Sequence, residues 1–322
     1  MMKFIDRMVA RVVPDRYRMS HYAIHPGAND FLDLVEQEQY DDITASFLPL
    51  PASEKSLLVQ AVSAIIEQDE YFDYWTTLKS GSALAHLMRG ALLINRAAFY
   101  RGGGLGSELS EQAVMQMLNA LRAAISSLER VRGDAGLGQE AAAWMIRGTM
   151  TSDYDWDFRR KLLTELRTLP APHLAGELRY LVASCEKWFG SHDEMFQHAR
   201  NSLVHFKTNP EAGALIAAAH YERHMYYDRF DEKPEMARAY LADPETMDEI
   251  IAASERLLSA PPSSPLDFVP AHNVFAAIFS EARRFDLAKP HFIGMEGRIL
   301  AYPWYHHDDW QLQRWYNEAI RS

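Results

Sequence analysis

The fold is decided by residues 177–210, ELRYLVASCEKWFGSHDEMFQHARNSLVHFKTNP. Apolar residues recur there three or four positions apart in two runs, which predicts two amphipathic helices. The first helix is expected to end at Trp188-Phe189-Gly190, and the second to run through Ala199 after a short turn. Asn209-Pro210 then opens a third helix, because proline is tolerated in a first helical turn. The stretch therefore predicts a pair of antiparallel helices followed at once by another pair.

The same periodicity continues along most of the chain from Glu54 onward. Leu, Ala, Met, Glu, Gln and Arg dominate these segments, and all of them favour helices. β-Branched residues rarely cluster, and no alternating run is bounded by hairpin turn residues, so essentially no sheet is expected. We predict an all-α protein of stacked antiparallel helix pairs that form an α-solenoid. Residues 1–52 are expected to be a lead-in, with a helix at Asp30–Phe47, packed on a repeat domain at 53–322.

Several helix ends are also predicted by residue type. Ser110 and Asp308 stand where N-caps are expected, since their side chains can accept a hydrogen bond from a backbone N–H of the first turn. Gly102, at the end of a long periodic segment, is expected to stop a helix.

The chain resembles the tetratricopeptide-repeat proteins. Residues 177–210 have about one period of that repeat, with small residues where two helices must approach, and residues 275–300 are similar. The resemblance covers residues 139–300 without any repeat of full consensus, and it implies a helical stack whose groove binds another protein. The chain also resembles an uncharacterised bacterial helical family, which implies no activity, in residues 85–103, 271–273 and 302–304.

Composition and charge bound the functions that the chain can have. Cys185 is the only cysteine, so neither an intramolecular disulfide nor a cysteine-based zinc cluster is expected. We expect Cys185 to be a buried structural thiol. No secretory leader and no membrane-spanning run is recognised, which predicts a cytoplasmic protein without membrane contact. The net charge of −11 disfavours nucleic acid and favours a basic protein partner, although acidity also serves solubility.

Three motifs suggest chemistry that their context does not support. His220 and His224 lie four residues apart, a spacing that suits a metal ion, but Tyr221 stands where a zincin requires Glu. Adjacent side chains in residues 306–309 diverge, so they favour a loop with an N-cap. The glycines of residues 102–106 follow a helix and lack the Lys-Ser or Lys-Thr of a phosphate loop. We therefore predict no catalytic residue, no metal and no cofactor.

One candidate for binding is a basic stripe on a single helix. His86, Arg89 and Arg96 recur with helical spacing along one face. Because a lone buried guanidinium is costly, the arginines either pair with acidic residues of neighbouring helices or line a groove and contact a ligand carboxylate.

Two further groups are candidates for binding. Asp153, Asp155 and Trp156 begin a helix, where the acids suit the helix dipole or, together with the tryptophan, a basic partner. His220 and His224, with the tyrosines around them, are expected to fill the core or to line a groove.

The leading hypothesis is a non-enzymatic protein-protein interaction module, with a bacterial immunity or adaptor protein that occludes a basic toxin as its concrete version. The competing hypothesis is a small-anion sensor or an enzyme with a basic pocket near Arg89, Arg96 and His220. A third is self-association through the last helix, and the oligomeric state is not predicted.

Overall fold

A computed structural model of the chain describes residues 24–64, 69–103, 109–151, 156–168, 172–262 and 266–322. These residues form 17 α-helices joined by turns and short 3₁₀ segments, and no strand occurs among them. The predicted all-α class is therefore confirmed. None of the helices in the described ranges is long and apolar enough to cross a membrane.

The helices are numbered in chain order. The first eight are α1 (Ala28–Glu36), α2 (Tyr40–Phe47), α3 (Ala52–Ser63), α4 (Asp69–Leu78), α5 (Ala83–Arg101), α6 (Glu111–Glu129), α7 (Gly138–Gly148) and α8 (Trp156–Leu166). The others are α9 (Leu174–Ala183), α10 (His192–His205), α11 (Gly213–Arg229), α12 (Pro234–Ala242), α13 (Pro244–Leu258), α14 (Val269–Glu281), α15 (Phe285–Gly294), α16 (Ala301–Trp304) and α17 (Asp309–Arg321).

The chain divides into two compact units. The N-terminal unit comprises Ile24–Leu169 and Ala175–Tyr180, and the C-terminal unit consists mainly of Leu181–Ser322. Residues 24–52 of the predicted lead-in form α1 and α2 in the N-terminal unit, whereas residues 1–23 lie outside the described residues.

The predicted helix at Asp30–Phe47 is two helices, α1 and α2. Between them, Glu38 has a φ of 58°, a left-handed conformation that a right-handed helix cannot continue through. The rings of Phe31 and Phe47 still meet edge to face with centroids 6.3 Å apart, so both helices cover the same core.

The N-terminal unit is built around α5, against which α3, α4, α6 and α7 pack. The start of α5 meets the end of α6, so the two helices run antiparallel. At Gly90 an added Cβ would lie 2.5 Å from the side chain of Leu128, and only glycine allows this approach without a shift. Ser110 caps α6 by accepting a hydrogen bond of 3.2 Å from the N–H of Ala113, and Gly102 ends α5 with a φ of 62°, as predicted.

The C-terminal unit is built around α11, which contacts α10, α12, α13 and α14. Residues 213–222 of α11 are all buried, so this part of the helix is enclosed rather than amphipathic. Gly213 permits the contact with α13, because an added Cβ would lie 2.7 Å from the carbonyl oxygen of Ala253. The enclosure of α11 explains why its polar side chains lie inside the unit.

Asn273 of α14 fixes the chain between α15 and α17. Its Nδ2 donates to the carbonyl oxygens of Val269 and Arg298, at 2.8 and 3.0 Å. Its Oδ1 accepts from the N–H of Leu300 and the indole N–H of Trp304, at 3.0 and 2.8 Å. This one buried amide therefore holds α16 against α14.

The stretch 177–210 departs from its prediction at the end of its first helix. α9 ends at Ala183, and a 3₁₀ turn follows. Phe189 then has a φ of 68°, and Gly190 lies so close to Ser184 that an added Cβ would be 2.1 Å from the carbonyl oxygen. The chain turns tightly back here, which shortens the helix. The tetratricopeptide-like stacking of helix pairs stays a prediction.

Candidate functional site

Buried polar side chains concentrate on α11. His220, Glu222 and His224 are 4%, 3% and 5% exposed. A buried polar group without a partner costs about 1–3 kcal/mol, so each of these needs a hydrogen bond or an opposite charge. Each has a different set of partners, and α11 therefore carries three polar clusters.

The His220 cluster takes one side chain from each of four helices, with Arg200 on α10, His220 on α11, Tyr240 on α12 and Glu249 on α13. The Nδ1 of His220 lies 2.5 Å from the Tyr240 hydroxyl, and its Nε2 lies 3.0 Å from a Glu249 carboxylate oxygen. Arg200 donates two hydrogen bonds of 3.1 Å to that carboxylate. The imidazole therefore donates from Nε2 to Glu249 and accepts at Nδ1 from Tyr240.

Charge in the His220 cluster is balanced. Hydrogen bonds from Arg200 hold the pKa of Glu249 below its usual value, so this carboxylate is ionised at neutral pH. Burial lowers the pKa of His220 and raises the pKa of Tyr240, so both are neutral there. Arg200 and Glu249 cancel, and the cluster has no net charge.

Arg223 lies beside the His220 cluster. Its Nε and Nη2 both donate to the hydroxyl of Tyr227, at 3.1 and 3.0 Å. Its guanidinium carbon lies 5.6 Å from the ring centre of Tyr227 and 5.5 Å from that of Tyr240. Arg223, Tyr226, Tyr227 and Tyr240 are half-buried and Arg200 is exposed. We call these five side chains the aromatic-arginine surface: Arg200, Arg223, Tyr226, Tyr227 and Tyr240.

His224 and His307 share the carboxylate of Glu281. Their Nε2 atoms lie 3.5 and 3.2 Å from its two oxygens, and the Nδ1 of His224 is bonded to the carbonyl oxygen of Ala237 at 3.1 Å. Burial alone would raise the pKa of Glu281, but the hydrogen bond from His224 and the imidazole of His307 hold it below its usual value. Nowhere in the described ranges does a group of three His, Cys, Asp or Glu side chains have a geometry that could hold a metal ion.

Lys187 and Glu222 form a buried ion pair. Their side chains are 7% and 1% exposed, and the Nζ lies 2.5 Å from Oε2. The Nζ also donates to the hydroxyl of Tyr305 at 3.1 Å, and the Sγ of Cys185 lies 3.7 Å from the same carboxylate. Burial and the charge of Glu222 raise the pKa of the Cys185 thiol, which is therefore protonated and unreactive. The predicted burial of Cys185 is confirmed.

A serine and two histidines are hydrogen-bonded in series, as the serine, the histidine and the third residue of a catalytic triad are. Ser254 Oγ lies 2.8 Å from the Nε2 of His291, whose Nδ1 lies 3.0 Å from the Nδ1 of His272. A nucleophile needs access to a substrate, but Ser254 is 5% and His291 0% exposed. Phe275 and Phe279 also stack on His291, with centroids 4.8 and 5.8 Å away. We therefore interpret the row as part of the core.

The basic stripe on α5 is engaged within the N-terminal unit. His86 is buried and its Nε2 bonds to a backbone carbonyl oxygen at 2.9 Å. Arg89 donates to the carboxylate of Asp73 on α4 at 2.5 Å and to the hydroxyl of Ser127 on α6 at 2.8 Å. Of the two alternatives for Arg89, the pairing with an acidic residue of a neighbouring helix is the one that the structure contains.

The structure describes only part of the remaining set of predicted binding residues. Asp153 and Asp155 lie outside the described residues. Trp156 begins α8 and is half-buried, with the guanidinium carbon of Arg159 4.7 Å from its ring centre. Arg96 is a half-buried residue of α5.

His220 and His224 share α11 but bond to different carboxylates, Glu249 and Glu281. The two histidines therefore do not form one site. Sequence reasoning missed Arg223, which lies between them, because its aromatic partners come from other turns and helices. The run of residues 220–227, with five aromatic or histidine residues around one arginine, was the available signal.

No protein-family model matches the chain, and no match was found among curated proteins or among solved structures. The resemblance to tetratricopeptide-repeat proteins therefore stays a prediction, and the function rests on the residues of the chain itself.

Proposed function

We propose that the protein is a non-enzymatic protein-protein interaction module that binds its partner through the aromatic-arginine surface. Tyrosine and arginine are enriched among the interface residues that contribute most binding energy. One observation carries the proposal: Arg223, Tyr227 and Tyr240 reach the surface while hydrogen bonds already hold them in place. Side chains that are ordered before binding lose less conformational entropy on binding.

The overall charge supports a basic partner. A net charge of −11 attracts a basic protein and accelerates its encounter with this chain. A bacterial immunity or adaptor protein in the cytoplasm, which occludes a basic toxin, is the concrete version of the proposal, and the acidity of the chain is its support.

A small-anion sensor is the second candidate, and one observation favours it. The half-buried guanidinium of Arg223 has no carboxylate partner among the residues that the structure describes. Arg89, the earlier candidate for an anion pocket, is already matched by Asp73. An anion site in the C-terminal unit is thus better supported than one on α5.

The test compares two double variants as bait in affinity purification from the native cells. Arg200→Ser with Tyr226→Ala changes the surface, and Arg238→Ser with Tyr74→Ala is the control. Arg238 is an exposed arginine paired with Glu235, and Tyr74 is 45% exposed, so the control removes the same side-chain types elsewhere. Circular dichroism and urea unfolding are used to check that both variants are folded.

We expect a stoichiometric partner that binds the native protein and the control equally. The surface variant is expected to bind the purified partner at least about tenfold more weakly, because two interface side chains of this kind contribute that much. Equal binding by both variants would overturn the proposal, and so would a native protein that elutes alone.

A further inference from the structure

We infer that Arg223 and Tyr227 form a binding site for a peptide carboxylate, either an Asp or Glu side chain or a chain terminus. Assigning that carboxylate to a partner protein rests on the proposed function, whereas the site itself rests on the geometry of α11.

The first observation concerns the N–H groups of Arg223 that have no hydrogen-bond acceptor among the described residues. A guanidinium has five N–H groups. Two of them, on Nε and Nη2, donate to the Tyr227 hydroxyl. The other three have no acceptor among the described residues. Since the Nη1 and Nη2 donors of a guanidinium form a fork that matches a carboxylate, the free edge is suited to a two-point contact.

The second observation is the proton of the Tyr227 hydroxyl. Its oxygen accepts both hydrogen bonds from Arg223, but its own O–H has no acceptor in the part of the chain that the structure describes. Tyr227 therefore offers a further donor next to the guanidinium. A ligand oxygen that accepts from both would complete the hydrogen bonding of the pair.

The third observation is the unbalanced charge. Glu249 is occupied by Arg200 and His220, so it does not compensate Arg223. Glu186 lies 3.4 Å from the Nε2 of His192 and makes no ion pair with Arg223. A positive charge held half-buried beside two aromatic rings interacts more strongly with an anion than one in bulk water does.

The experiment observes Arg223 directly in the full-length protein. Arginine is labelled with ¹⁵N, and the Nε–Hε signal of Arg223 is assigned by its loss in Arg223→Lys. The probes are acetyl-Gly-Gly-Asp-Gly-amide, with a side-chain carboxylate, and acetyl-Gly-Gly-Gly, with a terminal carboxylate. Acetyl-Gly-Gly-Asn-Gly-amide, without a carboxylate, and inorganic phosphate complete the set.

We expect the Arg223 signal to shift saturably with at least one carboxylate peptide and to stay unchanged with the Asn peptide. Arg223→Gln lacks the Arg223 signal, so its peptide binding is measured by calorimetry beside the native protein; it should be weaker by about tenfold or more, because one charge-assisted contact is lost. Tyr227→Phe keeps the ring and should weaken binding by a smaller factor. The control Arg238→Gln, which changes an exposed arginine on α12, should bind like the native protein.

Several results would overturn the inference. They are a signal that no carboxylate peptide moves, a response to phosphate alone, equal binding of the Asn peptide, and native affinity in a folded Arg223→Gln protein. A failure of the inferred carboxylate site can be distinguished from a failure of the proposed function. A partner that needs the aromatic-arginine surface but binds Arg223→Gln at native affinity removes only the carboxylate site. Peptide binding without any protein partner removes only the interaction module.

Discussion

Lowering the pH from about 7 to about 5 is expected to destabilise the C-terminal unit by about 2 kcal/mol through His272 alone. Burial lowers the pKa of His272 from 6.5 to about 4. The neighbouring imidazole of His291 is also buried, and its pKa is lowered too. The Ser254 hydroxyl is hydrogen-bonded to Nε2 of His291, and the two Nδ1 atoms of His291 and His272 share a hydrogen bond, so the three side chains form a row of neutral groups.

The unfolding free energy falls with falling pH because the unfolded state binds a proton at His272 before the folded state does. Below pH 6.5 the unfolded chain protonates His272, while the folded chain keeps it neutral down to about pH 4. The stability from this neutral imidazole is therefore complete above 6.5 and is lost as the pH falls toward 4. Each pH unit in that window costs about 1.4 kcal/mol, so the interval from 6.5 to 5 gives about 2 kcal/mol.

The assay has two parts. The Hε1 signal of His272 is followed by NMR to obtain its pKa, and the free energy of unfolding in urea is measured at several pH values. His220 and His307 shift in the same direction, so the native protein loses more than His272 alone contributes. The folded variant His272→Gln isolates the contribution as a difference. A midpoint near 6.5, or a variant with the full pH dependence of the native protein, would refute the reasoning.

Two other predictions concern packing and charge in the same unit. Lys187→Met is expected to lower the free energy of unfolding in urea by about 3–5 kcal/mol, because it leaves Glu222 buried without its counter-ion. Adding Glu222→Leu to this variant should restore much of that loss. A Lys187→Met protein as stable as the native protein would contradict this reasoning. Gly213→Ala is expected to cost about 1–3 kcal/mol, since its Cβ would meet the carbonyl of Ala253, whereas Gly81→Ala meets nothing within 4 Å and should be close to neutral. Equal losses in the two alanine variants would show that the contact between α11 and α13 is not tight.

The helices and several of their ends could be predicted because the signals are local. The repeat of apolar residues at helical spacing predicts the helix class, and the caps at Ser110 and Asp308 depend on atoms three residues away. The break at Glu38 could not be predicted, because the sequence around it also suits a continuous helix. The end of α9 depends on the contact of Gly190 with Ser184, which only a three-dimensional structure contains.

The candidate site was less predictable for a related reason. The sequence of residues 220–227 predicts an aromatic and polar helix, but the spacing of these residues does not indicate which of them are buried. His220 meets Tyr240 and Glu249, which lie 20 and 29 residues later in the chain. Arg89 likewise finds its acid 16 residues earlier, on another helix. Pairings of this kind arise from the packing of helices, and no periodicity encodes them.

Because Cys185 is buried, its thiol can report local opening of the C-terminal unit. A thiol that is 3% exposed reacts with a disulfide reagent only after the surrounding helices open. When reclosing is faster than the chemistry, the labelling rate divided by that of a free thiol equals the equilibrium population of the open state. Because the chain has one cysteine, the labelling time course is expected to be a single exponential, and its rate would report that opening in the native sequence without any engineered label.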